Sequence, residues 1–254
     1  MAGEPPLHMI DEPSVVSEDS FQEAWKAVVE LLQGKQWEMR NLMVQVKSPT
    51  AFDGAVHRKV ESFCALNNIL GPRHVAYTIF PHDFYQHRGN AERLFADYNK
   101  ENGYFERLQN RLHNKSSWGT YFRRLTHYES PSGTVNQLAN VIKAINTRAN
   151  VSKAALTLVI QKPGGETVRP LGGPCLNYLA VQEERTSQTV LGLLAVYRNH
   201  DFLQKAYGNY WALCNLLRFL AAETRSQVGP ITCVSSHAYV DSRRPALSNL
   251  LTKL

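Results

Sequence analysis

Apolar residues recur at helical spacing along residues 20–33, SFQEAWKAVVELLQ, and the run stops at Gly34, which predicts a helix. Residues 37–46, WEMRNLMVQV, predict a strand, and 52–68, FDGAVHRKVESFCALNN, a helix, before Gly71-Pro72 punctuates the chain. Residues 73–80, RHVAYTIF, fit a strand or the start of a buried helix. Residues 91–112 predict a helix charged on one side and broken near Gly103. Residues 116–125, SSWGTYFRRL, are aromatic and basic, and 135–148 predict an amphipathic helix.

The second half is cleaner. Residues 154–161 predict a strand, followed by the Gly/Pro-rich turn KPGGETVRPLGGP. Residues 175–182 and 189–199 predict two strands joined as a hairpin. Residues 201–225 predict one long helix with Ala206, Tyr210, Leu213, Leu217, Leu220 and Ala221 as its apolar stripe. Residues 230–240 predict the last strand. Residues 1–17 read as a flexible lead-in and 18–254 as a single domain. Several consecutive strands with one buried helix point to the α+β class.

Composition changes this picture little. With 43% hydrophobic and 20% charged residues the chain is ordinary for a globular domain. No apolar run approaches the ~20 residues that span a bilayer. The N-terminus, MAGEPPLHMIDEP, lacks the apolar core of a signal peptide, so a cytoplasmic location is expected. The four cysteines form no CxxC pair and no Cys/His cluster, so neither structural zinc nor a disulfide scaffold is expected. A net charge of +6 suits an anionic ligand such as a nucleotide or a polyglutamylated cofactor. No block of Lys/Arg marks a nucleic-acid or membrane partner, and a structural RNA-binding module rests on the basic balance alone.

The candidate chemistry lies in the second half. Cys175 follows RPLGGP and opens an apolar strand, where a rigid turn can hold a thiol within a ligand's reach. Taken alone it also reads as a small buried hydrophobe. Arg198 ends the next strand, where a forked cation can hold a phosphate. Asp201 falls near a helix N-terminus and also reads as a cap. Asn209 lies two turns into that predicted helix, and its amide needs a partner. His237 and Tyr239 share one face of the last strand.

The order of these parts resembles thymidylate synthase over about the last 120 residues. NQLANVIKAIN (136–146) resembles the helix before the family's basic pair, GGPCL (172–176) the nucleophile segment, YRNHDFLQKAYGN (197–209) the signature, and SSHAY (235–239) the sugar-binding segment. SSWGTYFRRL resembles an upstream segment. The short C-terminus and the Cys-Leu pair look more like the methanogen-type branch.

The resemblance implies a large mixed sheet with a long buried helix and flanking helices. It implies that Cys175 attacks carbon 6 of a pyrimidine. Arg198 holds the 5′-phosphate, with Asn199 in place of the family's serine. Asp201 contacts the pterin, Asn209 reads the uracil edge, and His237 and Tyr239 bind the ribose 3′-hydroxyl. It further implies 5,10-methylenetetrahydrofolate as one-carbon donor, dUMP or a related nucleotide as substrate, and a homodimer in which Lys153, or Arg148, is lent to the partner's phosphate site.

The chain departs from the family at four places. Leu176 replaces the usual histidine, and the basic pair is reduced to Lys153-Ala154. The upstream glutamate has only Glu61 and Asp83 as candidates. Just fifteen residues follow Tyr239, where the common form has a longer tail. Methylation, hydroxymethylation, and nucleotide binding without folate chemistry are all compatible with this reading.

Overall fold

In the computed structural model, residues 12–111, 118–148, 150, 154–162, 172–185 and 187–254 are described. The chain enters as β1 (Ser14–Glu18). Residues 14–17 were expected in the lead-in, but they pair in parallel with β2 (Glu38–Val46). Between them runs α1 (Phe21–Gly34), opened by a capping box in which Ser20 and Glu23 each accept from the other's backbone N–H. Asp53 caps α2 (Gly54–Leu66).

The ambiguous stretch at 73–80 is α3 (Pro72–Ile79). Pro72 sits in its first turn, where its fixed φ favours a helix. Short helices follow: α4 (His82–Arg88), α5 (Ala91–Asn99), α6 (Tyr104–Arg111) and α7 (Tyr121–Thr126). A hairpin of β3 (Tyr128–Ser130) and β4 (Gly133–Val135) precedes α8 (Gln137–Thr147).

The large sheet is completed by β5 (Leu156–Val159), β6 (Leu176–Arg185), β7 (Thr189–Tyr197), the short β8 (His200–Asp201) and β9 (Gln227–Tyr239). Its order is β1-β2-β9-β7-β6-β5, with β8 added on β9. β7 and β9 run parallel because α9 (Ala206–Glu223) carries the chain between them. The last element is α10 (Arg244–Leu251). The architecture is therefore mixed, with one large mixed sheet and ten helices among the described residues. None of those helices is long and apolar enough to cross a membrane.

α9 begins five residues later than its sequence pattern predicts. His200 and Asp201 are held as β8 against Ala238 and Tyr239, and Asp201 Oδ1 accepts from the N–H groups of Leu203 and Gln204 in the turn that follows. Asn209 therefore sits in the first turn of the helix, not two turns in. Gly208 beside it permits close packing: a Cβ there would lie 2.6 Å from Val75 Cβ and 2.7 Å from the Pro72 carbonyl oxygen. This brings α3 onto the start of α9.

The two faces of the sheet differ. Leu42, Val44, Cys233, Leu193, Ala195 and Leu179 are buried on the α9 side. On the other side, the register aligns Val15, Met43, Val234, Val196, Tyr178 and Val159 in one row across six strands. Val15, Met43 and Val159 in that row are 66%, 40% and 39% exposed.

Candidate functional site

Gly172 and Gly173 adopt φ of +85° and +76°, a left-handed pair that bends the chain into Pro174 and then Cys175. The turn is braced from both sides. Arg198 Nε donates to the Pro174 carbonyl at 3.2 Å, and its Nη2 donates to the Gly172 carbonyl. The Cys175 N–H donates to the Tyr121 hydroxyl at 3.1 Å, and its carbonyl accepts from the Arg198 N–H at 2.9 Å.

The turn faces a cavity of about 300 Å³. Cys175, Asn199, Asp201, Asn209 and Tyr239 all line it. Five of the residues singled out in the sequence, spread over 65 positions from three elements and two connections, thus meet at one place. Arg198 and His237 do not line the cavity. Arg198 is one contact away, through the turn it braces. His237 Nδ1 donates to Asn199 Oδ1 at 3.0 Å, while its Nε2 reaches Glu38 Oε1 at 3.0 Å. His237 and Tyr239 do share a face, with rings stacked 5.2 Å apart. Lys153 lies outside the described residues. Glu61 and Asp83 line no part of the cavity: Glu61 pairs with His57, and Asp83 with Arg73 and Tyr77.

Cys175 is the one thiol of the four that is not buried. Burial pushes Cys64 up to about 11 and Cys214 and Cys233 up to about 12. Cys175 is also raised, first by desolvation, with Arg198 and Lys205 pulling the other way. Desolvation outweighs both cations, so the thiol is protonated at neutral pH. Burial likewise raises the Asp201 carboxyl, against the two N–H groups it caps. Asp201 lines the cavity while its Oδ1 holds the turn after β8; it is not the cap of α9, whose N-cap is Lys205.

Three contributors escaped the sequence reading. Lys205 lines the cavity at the N-cap of α9 and is the cation on the wall itself. Its position between Asp201 and Asn209 in the signature was the available signal. Trp118 supplies an aromatic wall, 4.7 Å from the Tyr121 ring. His200 also reaches the cavity although only 1% exposed. Its Nε2 lies 3.1 Å from Asn209 Nδ2 and its Nδ1 3.0 Å from Ser235 Oγ. The ring stacks on Tyr197 at 4.0 Å, nearly coplanar. Burial alone drives its pKa down to about 3, so it is neutral.

No family model matches the sequence, and no curated protein matches it. What the chain is known to be is thus the class its fold defines: a mixed α/β protein built on one large mixed sheet, with a thiol and an amide facing one cavity.

Proposed function

We propose that this cavity binds a uridine 5′-monophosphate, dUMP foremost, and that Cys175 adds to carbon 6 of its ring so that carbon 5 can accept a one-carbon unit. The observation that carries this is the shared cavity of Cys175 and Asn209. Carbon 5 of uracil is a poor nucleophile, and thiolate addition at carbon 6 turns the ring into an enolate. The chain then needs a fixed donor at the enolate oxygen, and the Asn209 amide is that donor. Lys205 on the cavity wall, with Arg198 one contact behind it, supplies the cations for the phosphate. Tyr239 and Asn199 are placed for the sugar. Asn199 is already hydrogen-bonded to His237, whose ring stacks on Tyr239, which orders that wall.

The volume is at the low end of the ~300–1,000 Å³ of small-molecule sites and fits one nucleotide. Asp201 and Trp118 are the groups that fit a pterin. 5,10-Methylenetetrahydrofolate would supply the methylene, with its own hydride completing a methyl group or water completing a hydroxymethyl group.

A second reading is favoured by the raised Cys175 thiol: a homologue of the same fold that binds the nucleotide and has lost folate chemistry. Mass measurement after incubation with 5-fluoro-dUMP and methylenetetrahydrofolate separates the two. A covalent ternary adduct, absent from Cys175→Ala and retained by Cys214→Ala, is the expected result. Nucleotide binding with no adduct supports the second reading, and no binding at all removes both.

The bare apolar row on the sheet supports a homodimer joined through that face. Sedimentation should report a dimer at micromolar concentration, and Val196→Asp should give a folded monomer. A monomeric wild type would exclude a site shared between subunits, and with it any role for Lys153 or Arg148 in a partner's phosphate site.

A further inference from the structure

We propose that His200 is a positioning residue that locks the amide of Asn209 in one of its two orientations and thereby decides which pyrimidine edge the cavity accepts; the choice of uracil rests on the function proposed above, the lock itself does not. An asparagine amide presents an acceptor and a donor side by side, and turning it over exchanges them. Uracil and cytosine differ by that same exchange: uracil offers a donor at position 3 and an acceptor at position 4, cytosine the reverse. A freely turning amide therefore pairs with either. One that is held pairs with only one.

The hold is built from the buried side. Asn209 is 4% exposed and directs Nδ2 at His200 Nε2, 3.1 Å away. Its Oδ1 has no hydrogen-bond partner among the described residues, although the residue lines the cavity. For Nε2 to accept, the proton of the neutral ring must reside on Nδ1 and point at Ser235 Oγ, 3.0 Å away. Ser235 is fully buried, and its Oγ is the acceptor that this tautomer meets. The parallel stack on Tyr197 at 4.0 Å prevents the ring from turning. The opposite tautomer would set an Nε2 proton against the amide N–H of Asn209. The amide is thus set from β9, through the imidazole, with Oδ1 and the second N–H of Nδ2 left to the ligand.

Two measurements test this. In the ligand-free protein, ¹⁵N-detected imidazole spectra at pH 7 should show His200 neutral and protonated on Nδ1; a proton on Nε2 overturns the lock whatever the protein binds. Titration with uridine and cytidine monophosphates should show wild type preferring one by about tenfold to hundredfold, the cost of one mispaired buried edge. Ser235→Ala, which keeps the core volume, and His200→Phe, which keeps the ring stack, should each narrow that ratio to within a few-fold while the preferred nucleotide still binds. An unchanged ratio in Ser235→Ala, or no preference in wild type, refutes the proposal. A preference for cytidylate that collapses in the variants would keep the lock and remove the uracil assignment. Protonation on Nδ1 in a protein that binds neither nucleotide would keep the lock and remove the function.

Discussion

Two histidines flank the first turn of α9, and they are wired in opposite ways. His57 lies on α2, with Nδ1 3.2 Å from the Tyr207 hydroxyl and Nε2 3.5 Å from the Glu61 carboxylate at the surface. The same hydroxyl accepts from Gln22 Nε2 at 3.1 Å, and the Gln22 amide is itself tied to the Asp53 backbone on both sides. Each of these polar atoms has a protein partner, so the network staples α1, α2 and α9. The His200 network runs the other way, from the core outward, and stops at the amide of Asn209 on the cavity wall. A closed network is scaffold. One that ends on an unmet acceptor at a cavity wall is a site.

Electrostatics sharpens the contrast. Burial lowers both pKa values, but Glu61 pushes His57 back up, whereas His200 has no ionic partner and falls to about 3. The largest expected effect follows. The unfolded value is near 6.5, so as pH falls the unfolded chain takes up the proton first. The stability held by neutral His200 is complete above pH 6.5 and is lost between 6.5 and 3, at up to ~1.4 kcal/mol per pH unit. Urea midpoints from pH 7.5 to 4.5 should fall more steeply for wild type than for His200→Phe, and parallel slopes would break the contrast.

Next is Gly208→Ala, which strikes between the two networks. Its methyl group meets backbone at Pro72 and Val75 Cβ, neither the end of a flexible side chain, so α3 must shift. A loss of ~1–3 kcal/mol is expected in denaturant melts, together with weaker nucleotide binding, because α3 forms part of the cavity wall. Tyr207→Phe should cost ~1–2 kcal/mol by stripping Gln22 and His57 of a buried partner, and should leave nucleotide affinity unchanged. A change in affinity there would mean that the staple is also part of the site. Glu61→Gln is the smallest: its carboxylate is half exposed, so ~0.2–1 kcal/mol is expected, and only at acid pH where the His57 ring carries its second proton, again with no effect on binding.

These differences explain what the sequence could and could not reveal. The strands of the second half were legible because each alternates or runs apolar between marked turns, and the hairpin of β6 and β7 has the bounds that pattern predicts within a few residues. β1 and α10 were not: five and eight residues give too few periods, and each is held by tertiary packing. The 73–80 stretch was ambiguous because eight residues hold barely two turns: Val75, Ala76 and Ile79 make one buried face and Arg73 and His74 are exposed, too short a pattern to fix a period. Cys175, Asp201, Asn209 and Tyr239 were found as a set, and they meet. His200 stood in the same signature without a role, since its meaning depends on Ser235, thirty-five positions away. His237 lies one contact behind that wall, between Asn199 and Glu38 of β2, a placement that strand parity alone does not reveal.

The placement of β9 has a consequence for how the protein is made. β9 is the strand that β2 and β7 both require, and it emerges from the ribosome long after β2. Until then β2, with its row of alternating apolar residues, has only the five residues of β1 to pair with. At ~5–20 residues per second, that open edge persists for on the order of ten seconds or more in every nascent chain. The sheet cannot be assembled in the order it is written, so the nascent protein carries an unpaired apolar strand while everything between β2 and β9 is made, the state in which chaperones bind and in which neighbouring chains on one message can pair wrongly.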